Sequence, residues 1–86
     1  MKKNKENNYI SLAHLLVKVF VNDESLISIK ILDSNDYDYY LLILVSENDI
    51  KRLIGYKGYN ASSIRNILKA YATKNNEKIK VEFESF

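Results

Sequence analysis

Leu53-Ile54-Gly55-Tyr56-Lys57-Gly58-Tyr59-Asn60-Ala61-Ser62-Ser63-Ile64-Arg65 sets the chain's two glycines three residues apart, between two helical patterns. Glycine adopts positive φ without a Cβ penalty, so such a pair lets the backbone turn sharply. It also lets a sugar–phosphate backbone come close, and the amides opening the second helix point into that space as a ready anion site. Lys57 adds a positive charge to the loop. Many helix–turn–helix connections use glycine, so the pair takes its meaning from its surroundings.

Immediately before the loop, Ser46-Glu47-Asn48-Asp49 reads as a helix start, with Ser46 as cap and acids in the first turn. Ile50, Leu53 and Ile54 then share one face, Lys51 and Arg52 lie outside, and Gly55 stops the helix after two turns. Beyond the loop, Ala61, Ile64, Ile67, Leu68, Tyr71 and Ala72 form one apolar stripe opposite Ser62, Arg65, Asn66, Lys69 and Thr73. Lys74-Asn75-Asn76 ends that helix. Farther out, Tyr39 to Val45 is a strand of apolar and tyrosyl residues. Leu26 to Leu32 alternates Ile27, Ile29 and Ile31 with Ser28 and Lys30, and the polar turn 33–38 joins the two strands as a hairpin. Tyr9 to Val21 is an apolar helix with a narrow polar stripe of Ser11, His14 and Lys18, and Lys78 to Glu84 alternates again with Ile79, Val81 and Phe83 inward. Residues 1–8 read as a disordered N-terminal tail and 9–86 as one domain. The order is α-β-β-α-α-β: an α+β fold with a three-stranded sheet and helices packed on one face.

Charge along the chain is segregated. The net is +3 over residues 1–21, −6 over 22–50, and +6 over 51–75, where Lys51, Arg52, Lys57, Arg65, Lys69 and Lys74 stand with no acid. A wholly basic block is the electrostatic footprint sought in a nucleic-acid binder, although a solvated helix face lacking acids would look the same.

Composition narrows the functions further. The 86 residues are 47% hydrophobic and 28% charged, which suits one small globular domain. There is no cysteine, so disulfides, thiolate nucleophiles and cysteine metal sites are excluded, and one histidine excludes a two-histidine metal site. No apolar run approaches the ~20 residues that span a bilayer, and the polar N-terminus does not read as a signal sequence. A soluble cytoplasmic protein is expected. Asp33, Asp36 and Asp38 fail the calcium-loop pattern, with tyrosine at the fifth position and no glycine at the sixth. His14 is expected in solvent, Tyr71 in the core and Tyr56 exposed. No acid/base pair, nucleophile–base pair or metal cluster is legible, so no enzyme, cofactor or metal is expected.

The frame around Gly55-Tyr56-Lys57-Gly58 resembles a KH domain, and its element order resembles the type II arrangement of bacterial KH proteins. With little else in the chain, it is similar to the small bacterial single-KH family called KhpA (formerly YlqC). The resemblance covers roughly residues 8–84. It is strongest from Val45 to Arg65, where Gly55, Gly58, Ala61, Ile64 and Arg65 fall on the family's Val-x-x-x-Asp-x-x-x-Ile-Gly-x-x-Gly-x-x-Ala-x-x-Ile/Leu-Arg pattern.

The resemblance implies that the GxxG loop clamps about four nucleotides of single-stranded RNA, as an RNA chaperone or post-transcriptional regulator acting as a dimer. It implies RNA contacts at Gly55, Tyr56, Lys57, Gly58 and Tyr59. Ile54 and Ile64 would floor the groove, and Arg65, Lys51, Arg52 and Lys69 would supply positive charge. A homodimer is implied, and pairing with a larger Jag/KhpB-type KH protein. Two features depart from the family. Tyr59 stands where a basic residue is usual, removing a phosphate contact while offering a ring to a base. Leu42 and Leu44 give the second strand an apolar outer face, open to a partner or to cover by the Lys30 and Lys80 stems. Two other functions fit parts of the pattern. One is a helix-turn-helix binder of double-stranded DNA reading through Ser62, Arg65, Asn66 and Lys69. The other is an interaction or dimerisation scaffold whose groove has degenerated.

Overall fold

The computed structural model describes the backbone of residues 2–86 and the side chains from Lys5 onward. Six principal elements run α1 (Lys2–Val17), β1 (Ser28–Leu32), β2 (Tyr39–Val45), α2 (Glu47–Ile54), α3 (Tyr59–Lys74) and β3 (Ile79–Ser85). Short 3-10 turns at Lys18–Phe20, Glu24–Leu26 and Tyr56–Gly58 join some of them.

β2 is the central strand. Its alternation puts Tyr39, Leu41, Ile43 and Val45 in the core, each at most 2% exposed, and leaves Tyr40, Leu42 and Leu44 half-buried on the other face. β1 pairs with it antiparallel, Ser28 opposite Leu44 and Leu32 opposite Tyr40, completing the hairpin. β3 lies on its other side and runs parallel, Tyr39 opposite Ile79 and Val45 opposite Ser85. A parallel neighbour requires a crossover. Here the crossover consists of α2, the glycine turn and α3, so the two glycines sit where the chain must reverse above the sheet. Tyr9, Ala13 and Val17 from α1, Leu53 from α2, Ile64, Leu68 and Ala72 from α3, and Ile79 and Val81 from β3 close the core. Burial of each large apolar side chain contributes roughly 1.5–3 kcal/mol.

Several boundaries depart from the sequence expectations. The first helix begins at Lys2, so residues 2–8, expected as a disordered tail, continue it. Tyr9 explains the anchorage. Its ring stands 4.5 Å from that of Tyr39 and 5.2 Å from that of Tyr71, its hydroxyl donates to Glu77 at 2.6 Å, and Lys5 pairs with Glu77 at 3.5 Å. Regular α-helix then ends at Val17, giving way to the 3-10 turn. β1 starts at Ser28 because Asp23 accepts from the Ser25 amide and caps the turn before it. On α3, Ile67 is 46% exposed rather than buried in the apolar stripe.

Candidate nucleic-acid interface

The turn between α2 and α3 is built from three consecutive demands on the backbone. Gly55 holds φ 79° and ψ 176°, a region essentially closed to other residues, and its N–H donates to the Lys51 carbonyl at 2.9 Å to close α2. A Cβ there would lie 2.6 Å from the side-chain amide of Asn60. That amide donates to the Arg52 carbonyl at 2.9 Å, so Asn60 clasps the start of α3 onto the end of α2. Lys57 (φ 53°) and Gly58 (φ 75°) are both left-handed, and the Gly58 N–H returns to the Gly55 carbonyl at 3.0 Å. Space beside Gly58 is open: an added Cβ would meet nothing within 4 Å. Among the described residues no side chain caps α3, so the positive end of its dipole carries no anionic cap.

Three side chains stand out from this turn. Tyr56 is 75% exposed and Tyr59 60%, with ring centres 6.0 Å apart and planes at 72°, and the Lys57 ammonium lies 5.3 Å from the Tyr56 ring. Beside the turn, Ile50, Lys51, Ile54 and Gly55 line a shallow depression of about 390 Å³. Ile54 is half-buried there, whereas Ile64, expected beside it in the groove floor, is 1% exposed within the core. The α3 stripe turns Ile64 toward the sheet, and Ile50 takes the place beside Ile54.

Lys51, Arg52, Arg65 and Lys69 are all exposed. Two of these cations are held by bonds within the chain. The Arg52 guanidinium donates to the Asn22 side-chain oxygen. Arg65 donates through Nε to the Val81 carbonyl at 3.0 Å and lies 5.0 Å from the Phe83 ring centre. Lys69 follows one helical turn beyond Arg65.

Residues 11–83 match the family described as KhpA/KhpB, KH domain. The chain belongs to the KhpA/KhpB KH-domain family. A curated relative, the RNA-binding protein KhpA of Borreliella burgdorferi, is 31% identical over 75 residues, covering 87% of this chain and 90% of its own. Among solved structures, an Aquifex aeolicus Era variant crystallised with GDP and aluminium fluoride is similar at a TM-score of 0.61 and 15% identity. The match covers 86% of this chain but 28% of that one, so it speaks for the fold alone. The observed α-β-β-α-α-β order and mixed sheet are the single type II KH arrangement that the sequence led us to expect.

Within this KhpA/KhpB KH frame, some supporting residues escaped the sequence reading. Asp49, which the sequence places in the first turn of α2 where the helix dipole favours an acid, is only 2% exposed. Its carboxylate accepts from the amides of Asn22 at 3.1 Å and Asp23 at 3.3 Å. These bonds, the Asn22 amide first, hold its carboxyl below the ordinary carboxylate range against the opposing effect of burial, and the Ser46 hydroxyl and Arg52 charge add to them. Ser46 thus occupies the cap position of α2 without capping by its side chain. Its backbone carbonyl accepts instead, from the Asp49 and Ile50 amides. His14, expected in solvent, is half-buried with Nε2 3.8 Å from Glu24. No helix of the described residues is long and apolar enough to cross a membrane.

Proposed function

We propose that this chain binds single-stranded RNA at the Gly55–Gly58 loop, as an RNA chaperone or post-transcriptional regulator without catalytic activity of its own. The observation that carries this reading is the loop itself: an open, left-handed turn feeding an uncapped helix, within a stretch with six cations and no acid. Membership of the KhpA/KhpB family supports it, as does a relative named for RNA binding. The loop amides and Lys57 would receive phosphate, the depression at Ile50 and Ile54 would receive base edges, and Lys51, Arg52 and Lys69 would neutralise the backbone. The cytoplasm is the compartment we assign.

We further assign a working unit larger than one chain, because one KH groove holds about four nucleotides. Linking two grooves makes the second contact intramolecular and raises avidity by roughly 10²–10⁴. Exposed Leu15 on α1, Val19 in the 3-10 turn that follows it, and the Leu32, Leu42 and Leu44 face of the sheet support self-association or pairing with a KhpB-type protein. Titration of single-stranded RNA and duplex DNA at several salt concentrations tests the function, with sedimentation equilibrium alongside. Expected are a preference for the single strand and a salt slope that falls by about 0.7 for each phosphate-contacting cation removed. Preference for duplex DNA would favour a groove-reading helix. Absence of any nucleic-acid binding would favour a scaffold, and a concentration-independent 10.0 kDa species would exclude the homodimer.

A further inference from the structure

We infer that Tyr56 and Tyr59 form a base-stacking corner that takes one nucleobase of the RNA beyond those held in the groove. The inference rests on the RNA-binding reading above and deepens it. Tyr9, Tyr39 and Tyr71 pack in or against the core, and Tyr37 and Tyr40 gather around Lys80 at the sheet. Among the described residues, the loop pair alone places two strongly exposed tyrosine rings side by side. Burial would reward such rings, yet both stand in water.

Their geometry suits a ligand with a flat face. At 6.0 Å and 72° the rings meet edge to face, so they are not consumed in a parallel stack with each other, and the Lys57 ammonium lies over the Tyr56 ring. A base laid on one ring presents its edge to the other. Neither tyrosine lines the depression at Ile50 and Ile54, so this base is additional to the groove. Lys57 stands 5.3 Å from the Tyr56 ring, placing its charge where the phosphate joining that base to the next would pass. The surrounding acid-free stretch favours a polyanion over an acidic or neutral peptide segment as the occupant of the corner. Every base has a π-face, so the corner adds affinity while tolerating sequence. Tyr59 thereby exchanges a salt-sensitive phosphate contact for a stacking contact.

The test uses the full chain and a fluorescently labelled single-stranded RNA of about six nucleotides, longer than the roughly four a KH groove holds. The same RNA with one abasic position, walked along its length, identifies the stacked base. Tyr59→Ala is expected to weaken binding about tenfold with an unchanged salt slope, and Tyr59→Phe to retain affinity. One abasic position should cost the natural chain the same factor and cost Tyr59→Ala nothing further. Tyr59→Lys should steepen the salt slope without restoring sensitivity to that position. Unchanged affinity in Tyr59→Ala, or a loss equal for every abasic RNA, overturns the inference while the RNA-binding reading stands. If the natural chain binds no single-stranded RNA at all, that reading falls first. Binding of a protein partner that Tyr59→Ala abolishes, with RNA affinity unmoved, would assign the corner to protein instead.

Discussion

Arg65 donates through Nε to the backbone carbonyl of Val81 at 3.0 Å, tying α3 to the edge strand β3. Its guanidinium carbon stands 5.0 Å from the ring centre of Phe83, two residues along that strand. The residue that ends the family motif is therefore oriented by the fold before any ligand arrives. Its side chain stays exposed, but the Nε bond and the ring contact restrain where the guanidinium lies.

Arg65→Ala should lower stability by about 1 kcal/mol, the usual net worth of one such hydrogen bond, and weaken RNA binding. Arg65→Lys should not restore either property, because an ammonium has neither the Nε donor nor the planar face that stacks on Phe83. Urea midpoints and RNA affinities of the two variants check this. Full recovery in the lysine variant would mean that only the charge matters.

The two glycines should respond differently. Gly55→Ala meets both a forbidden backbone region and the Asn60 amide, so it should destabilise the fold by about 1–3 kcal/mol. Gly58→Asn should cost less, because asparagine tolerates the left-handed conformation and the space beside Gly58 is open. Thermal unfolding resolves the difference, at roughly 4–8 °C per kcal/mol for a domain of this size. Equal midpoints for the two variants would contradict the geometry.

Asp49 makes stability depend on pH. Its folded-state pKa is depressed, so its contribution is complete above the ordinary carboxylate value of 3.8 and is lost as pH falls below it. Asp49→Asn should be clearly less stable than the natural chain at pH 7, since an amide replaces a carboxylate accepting from the Asn22 and Asp23 amides. The gap should narrow as pH falls toward 3. Urea midpoints of both proteins across that range show whether it does, and a constant gap would remove Asp49 from the titration.

Much of this architecture is legible in the sequence. Period-two alternation in β1 and β3, the apolar run of β2 and the paired glycines are local signals, and the order α-β-β-α-α-β follows from them. What escaped was long-range. The helical start at Lys2 depends on Tyr9 reaching Glu77, 68 residues away, and no periodicity in residues 2–8 announces it. Asp49 looks like any first-turn acid until the amides of Asn22 and Asp23 close on it. Asn60 reads as an ordinary polar residue in the first turn of α3, and its role as a clasp appears only when α2 and α3 are brought together. Ile54 and Ile64 are both apolar helical residues, and only their placement relative to the sheet makes one accessible and the other core.

The most direct measurement is RNA affinity of the Tyr56→Asp/Lys57→Asp double variant beside its circular dichroism spectrum. Both positions are exposed, and aspartate accepts the left-handed conformation of residue 57 more readily than lysine does, so the fold should survive. Two negative charges would then face the phosphates at the loop. A native spectrum with single-stranded RNA binding abolished is the expected result. A native spectrum with affinity unchanged would show that RNA does not enter at Gly55–Gly58, and the assignment of the loop as the clamp would fail.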